Sequence, residues 1–190
     1  MGLSLLTAPA TEPVTLSEAK LHLRVEHSAD DTLITALIST ARQTAEHRTG
    51  RAMISQQWRM TLDAWQDSIE LPNPPLISIE AITYLDDSGT RQTLAGSSYQ
   101  AITDTTPGSV QPAYGLTWPT ARAVAGSIRI DYTAGYANAA AVPQPIKAWM
   151  LLAIGTWYAH REASAEQSKT AELPRTFWDG LLDPYRIPEL

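Results

Sequence analysis

The sequence predicts an α+β fold, a helical bundle interrupted by a small inserted antiparallel β-sheet. Three observations predict it. Apolar residues recur with helical spacing before Gly50 and again after Val142. Between those points they alternate with polar residues, the period of a half-buried strand. Gly, Pro, Asn and Asp gather at breaks inside that middle segment, where turns need them. Residues 1–52 and 142–190 are therefore read as the bundle, with an N-terminal arm, three main helices, a short C-terminal helix and a C-terminal tail. Residues 53–135 are read as the inserted β subdomain.

Thr15-Leu16-Ser17-Glu18 fits a capping box, so a short helix follows to about Leu23, burying Leu16, Ala19 and Leu23. Ser28 to Asp31 opens a second helix, with acidic residues where the helix dipole favours them. Leu33, Ile34, Leu37, Ile38, Ala41 and Ala45 form its stripe, and Gly50 ends it beside His47, Arg48 and Arg51. Ile54 to Ala64 then alternates as a strand, and Leu71 to Pro75 is a rigid break. Ile77 to Asp86 reads as a second strand, and Asp86-Asp87-Ser88-Gly89 as a turn returning through Thr90 to Leu94. Ser97 to Ile102 reads as a strand. Thr103 to Ala125 reads as a long loop with a short strand near Ser109–Pro112, and Ser127 to Ala134 as a strand with Ile128, Ile130 and Tyr132 on one face.

The segment Val142 to Glu162 closes the bundle. Pro143 and Pro145 suit a helix start, where a missing N–H costs nothing. The apolar run from Ile146 to Ala159 is shorter than the roughly 20 residues a bilayer span needs. On a wheel at ~100° per residue, Ile146, Trp149, Met150, Ala153 and Trp157 form one stripe. Leu151, Leu152 and Tyr158 fall off it, so a second face needs cover, from another layer of the chain or from a neighbouring subunit.

The formal net charge of −6, without a basic block, argues against a protein that grips nucleic acid. The absence of cysteine removes disulfides, thiolate metal sites and Cys nucleophiles. The N-terminus has no basic residue before Lys20, so it reads as an extended arm and not a signal peptide. No phosphate loop, nucleophile elbow or HExxH motif occurs, so residue chemistry alone names no catalytic site, which counts against a hydrolase. Asp30/Asp31 and Asp86/Asp87 read as helix-cap and turn residues. His47 and His160 read as surface histidines. Arg48 and Arg51 read as complements to the helix dipole, with anion binding as the other use. The aromatic tail, Phe177, Trp178 and Tyr185 with Arg186, either folds back on the bundle or docks on another protein.

Taken in order, the chain resembles the head–tail connector (adaptor) proteins of long-tailed bacteriophages and phage-like gene transfer particles. The matching stretches are Val14 to Lys20 with Leu23-Arg24-Val25, Asp30 to Ile38 leading to Ala45-Glu46 and Thr49-Gly50-Arg51, and Trp58 with Leu62-Asp63. They continue through Leu71-Pro72 with Pro74-Pro75, Ile82 to Leu85, Tyr132 with Ala134-Gly135-Tyr136, Val142-Pro143 and Pro145-Ile146. They end with Trp157-Tyr158, Arg161-Glu162 and Leu181-Leu182-Pro184-Tyr185-Arg186. Thr103 to Ala125 and the N-terminal arm match least.

The resemblance implies a structural protein, not an enzyme, without cofactor or membrane. It implies a ring, commonly of twelve copies, beneath the portal of a virion or phage-like particle, after assembly in the host cytoplasm. The ring would extend the DNA channel, pass DNA without specific binding, and dock a stopper or tail-terminator protein. An acidic chain suits such a channel wall. Leu151, Leu152, Trp157, Tyr158 and Arg161 are then candidates for subunit or core contacts. Phe177, Trp178, Tyr185 and Arg186 are candidates for docking on the portal or a neighbouring subunit. The alternative is a DNA-binding or packaging-accessory module, which a clustered basic face would favour.

Overall fold

Among the described residues, strand and helix propensities give three α-helices and two antiparallel sheets, a mixed α+β architecture. A computed structural model describes residues 1–160 and 178–187. The chain forms two compact units, Met1–Ala10 with Ser55–Ala137 and Thr11–Ile54 with Asn138–Leu190.

The first unit holds all eight strands: β1 (Gly2–Thr7), β2 (Gln56–Leu62), β3 (Ile69–Leu71), β4 (Leu76–Leu85), β5 (Arg91–Thr93), β6 (Tyr99–Ile102), β7 (Gly108–Pro112) and β8 (Ile128–Ala134). They form a five-stranded sheet in the order β1-β2-β8-β4-β5 and a three-stranded sheet in the order β3-β7-β6. Alternation decides which face is buried. Ile128, Ile130, Tyr132 and Ala134 of β8 point inward with Met60, Leu62 and Ile82. They meet Ile69, Leu71 and Val110 of the second sheet in one core cluster. Each such aliphatic side chain stabilises the fold by roughly 1.5–3 kcal/mol relative to exposure. The buried Tyr132 hydroxyl donates to the Pro72 carbonyl at 3.0 Å, and burial pushes its pKa well up.

Two expectations change here. The single small sheet is two sheets, because β3 spans only three residues within a Pro-rich break and carries no periodic signal. The N-terminal arm does not belong with the helices: Gly2–Thr7 pairs with β2 as the edge strand of the larger sheet. Every residue of β1 is exposed, so burial patterning could not announce it. The hairpin expected at Asp86–Gly89 forms between β4 and β5. The Asp86 carboxylate accepts from Ser88, Gln92 and the Thr90 N–H, which hold it down to about 2.

The second unit contains α1 (Leu16–Leu23), α2 (Asp31–Thr49) and α3 (Gln144–Ala159), which pack on one another. The predicted capping box is present. The Thr15 hydroxyl accepts from the Glu18 N–H at 3.2 Å, and the Glu18 carboxylate accepts from the Thr15 N–H at 2.7 Å. That backbone bond, then the Thr15 hydroxyl, lowers the Glu18 pKa. Gly50 ends α2 with φ +68°, the left-handed C-cap that glycine adopts without strain. Arg42, 7% exposed on α2, is held by Glu12 at 2.8 Å and Glu46 at 2.7 Å. The other Glu46 oxygen accepts from the Met53 N–H, so one carboxylate joins α2 to the segment after it.

Candidate functional site

α3 buries Ile146, Trp149, Met150, Ala153 and Ile154. Trp157, expected on that stripe, is half-buried, and Ile154 takes the inward place. Off the stripe, Leu151 is half-buried and Leu152 is 42% exposed. Tyr158 is covered within the chain: its hydroxyl donates to the Asp30 carboxylate at 2.5 Å. Asp30 therefore does not cap α2 with its side chain, contrary to the sequence reading, while Asp31 takes Lys20 at 2.6 Å. Off that stripe, Leu152 is the most exposed large apolar side chain of α3.

The described part of the tail lies back on the helices. Trp178 stacks on Trp149 with ring centroids 5.4 Å apart, and Leu182 is fully buried. The Asp179 carboxylate accepts from the Arg48 guanidinium and from the Trp149 indole N–H at 3.1 Å. Arg48 also lies over the Trp149 ring, 5.3 Å from its centroid. Arg51 donates to the Tyr185 carbonyl at 2.6 Å, and the Ile187 N–H to the Thr49 carbonyl at 2.9 Å. The Asp183–Tyr185 segment makes one 3-10 turn, and the expected short C-terminal helix falls partly on residues outside the described ones.

This cradle revises the reading of two arginines. Arg48 and Arg51 stand at the carbonyl end of α2, as the dipole argument has it, and the groups they engage are the chain's own tail. Burial raises the Asp179 pKa, but the bonds from Arg48 and Trp149 and the charges of Arg48 and Arg186 outweigh it and hold the carboxyl below its usual range. From the sequence Trp149 reads only as part of the buried stripe of α3, and Asp179 carries no signal. The available signal was a tryptophan inside an apolar helix, whose N–H needs an acceptor when buried.

The remaining candidates are placed as follows. Trp178 is in the cradle and half-buried, as is Tyr185. Among the described residues Arg186 pairs with Asp183, at 3.2 Å, and is half exposed. Arg161 and Phe177 lie outside the described residues. Among the described residues no group of three or more His, Asp or Glu side chains is arranged to hold a metal ion, and no helix is long and apolar enough to cross a membrane.

In the sheet unit, the outward face of the five-stranded sheet is polar. Arg59 of β2 and Asp131 of β8 form a two-point ion pair, both contacts at 2.7 Å. Arg129 sits between Thr61 and Thr83, and Arg91 donates to the Thr83 hydroxyl at 3.2 Å. Burial, then the charges of Arg129 and Arg59, lowers the Arg91 pKa.

The family model described as phage gp6-like head-tail connector protein matches residues 13–112. No curated protein matches the chain. Among solved structures, the fold is similar to a chain in the neck of an empty GTA particle computed with C6 symmetry, with TM-score 0.82, 24% identity, and coverage of 100% of this chain and 97% of that one. It is similar to a chain in the virion of the native gene transfer agent (GTA) particle, with TM-score 0.81, 24% identity and the same coverage. A chain in the neck of the native GTA particle computed with C12 symmetry gives TM-score 0.80 and 23% identity, again at 100% and 97% coverage. These likenesses are likenesses of fold.

Proposed function

The chain belongs to the phage gp6-like head–tail connector family, and from that premise we propose that it forms a ring between the portal and the stopper or tail of a phage or phage-like particle. A head–tail connector is a structural component and not an enzyme, so its work is done by contact surfaces. The observation that carries the proposal is the family match, which covers more than half of the chain. It is supported by a fold similar over its whole length to a chain in the neck of a native GTA particle computed with C12 symmetry. In this reading the protein is a virion component at the head–tail junction, assembled in the host cytoplasm. Its partners are the portal, the stopper or tail-terminator protein, and further copies of itself, twelve in the particle.

The three packed helices are the bundle of this proposal, flanked by the tail as a fourth element. Head-to-tail contacts around a closed rotation need two different surfaces on each copy. We assign Leu151, Leu152 and Trp157, with Arg161, to the contact between neighbouring subunits. The C-terminal tail, through Phe177, Trp178, Tyr185 and Arg186, is assigned to the surface offered to the portal or the next subunit. DNA passes through the channel without specific binding, in keeping with a chain of net charge −6.

A second reading, a DNA-binding or packaging-accessory module, draws on Arg59, Arg91 and Arg129 sharing one sheet face. Against it, Asp131 is paired to Arg59, and Glu80 stands on the same face, accepting from Thr133. The test of the main reading is genetic. Cells lacking the chain should make heads without joined tails, and purified protein should restore joining in extracts. Normal tailed particles without the chain would overturn it. Tight duplex binding at physiological salt would favour the second reading.

A further inference from the structure

The basic side chains of the sheet unit are few and unevenly placed. Within Met1–Ala10 and Ser55–Ala137 the cationic side chains are four arginines, with no lysine, against eight acidic residues. Arg59, Arg91 and Arg129 meet on the outward face of the five-stranded sheet. Arg129 and Arg91 have no carboxylate partner among the described residues; Arg91 bonds to the Thr83 hydroxyl and the Ser127 carbonyl, and Arg129 stands in register with Thr61 and Thr83. The neighbouring side chains on that face, Ser4, Thr61, Ala81 and Thr83, are small. A second protein surface can therefore come close to the guanidinium groups.

The strands of the three-stranded sheet carry one carboxylate and no basic residue. The three-stranded sheet packs its inner face on the shared core, and Glu70 of β3, between buried Ile69 and Leu71, projects away from that core. Asp104, in the β6–β7 connection, is also exposed. Neither carboxylate has an ion pair among the described residues.

We propose that the arginine face of one copy docks on the outer side of the three-stranded sheet of the next copy, with Arg129 and Arg91 facing Glu70 and Asp104. The proposal rests on the ring reading and names one of its surfaces. Two complementary faces on opposite sides of one unit are the arrangement that a heterologous contact around a closed rotation requires. Unpaired arginines beside small residues suit such a contact, since Arg is enriched where interfaces carry energy. A protein partner fits better than DNA, because Asp131 and Glu80 leave the face with a small net charge, and phosphate affinity grows with each neutralised phosphate.

The test is a charge-swap cycle read by sedimentation equilibrium of the full chain across a salt series, with circular dichroism to confirm folding. Wild-type protein should self-associate at low salt and less so as salt screens the contact. Arg129→Glu and Glu70→Arg should each weaken association by about tenfold or more, and the double variant should recover most of it. Arg129→Gln gives a smaller loss and covers the case in which the reversal disturbs the sheet. A wild type that stays monomeric at low salt, an Arg129→Glu variant that associates like wild type, or single losses without recovery each overturn the proposal. An unchanged association together with lost duplex retention overturns it in favour of nucleic acid. The connector reading is judged separately, by tail joining in particles that lack the chain.

Discussion

Asp179 accepts a hydrogen bond from Arg48, which lies 131 residues before it in the chain. This contact ties the tail to the carbonyl end of α2, and Trp149 supplies the second donor to the same carboxylate. Asp179→Asn removes the charge while keeping the shape. The ion pair is partly open to solvent, so the expected cost is about 1 kcal/mol. Denaturant unfolding should show it, along with faster proteolysis beyond Trp178.

The same carboxylate makes tail docking pH-dependent. Its folded pKa is held below the unfolded value of about 3.9. Its stabilising contribution is therefore complete above the unfolded pKa and is lost as pH falls through the folded one. Tail protection should be flat from neutral pH to about 5 and should decline below about 4. Asp179→Asn should remove that decline, which protease protection across the pH range can measure.

Among the described residues Arg42 is the most buried charge of the helical unit, and it serves two carboxylates. Arg42→Met removes the guanidinium that bridges Glu12 and Glu46 and should cost about 3 kcal/mol. Lysine should not rescue it, because one ammonium cannot reproduce two directed contacts. Glu12→Gln, at the more exposed end, should cost about 1 kcal/mol. Unfolding midpoints of the three variants check the order.

Gly108 opens β7 against Leu76 of β4. A Cβ added there would lie 2.6 Å from the Leu76 Cβ and 3.0 Å from the Ile102 carbonyl oxygen. Gly108→Ala should destabilise the sheet unit by about 2 kcal/mol through overpacking. Gly96 has nothing within 4 Å of such an atom, so Gly96→Ala should be nearly neutral. Thermal unfolding of the pair separates crowding from a general effect of losing glycine.

Leu152 separates folding from assembly. It is 42% exposed on α3, so Leu152→Asp should change monomer stability by less than about 1 kcal/mol. Incorporation into particles should nevertheless fall several-fold, as for loss of a buried interface side chain. Calorimetry of the purified protein and immunoblots of purified particles give the two numbers.

What was legible in the sequence was what repeats. α2, α3, β2 and β8 each carry a sustained period, and the structure places them within a few residues of the expected bounds. The Asp86 turn and the Thr15 capping box were legible because their chemistry is local. β1 was not, because all of its residues are exposed and its pairing partners lie fifty or more residues away. β3 was hidden by its length. The cradle was hidden for another reason: Arg48, Trp149 and Asp179 meet only after three segments distant in sequence have packed, and no spacing rule connects them. Arg48 and Arg51 were noticed at the right helix end, but a dipole argument cannot say which acceptor will arrive there. The open face of α3 was visible on the wheel through Leu152, while the cover of Tyr158 by Asp30 was not.

The most direct test of the central claim is electron microscopy of the intact particle with this subunit carrying a visible label. The label should appear as a ring at the head–tail junction, between the portal and the tail, with copies related by rotation about the tail axis. Label on the capsid shell, along the tail tube or at the tail tip, with none at the junction, would contradict it.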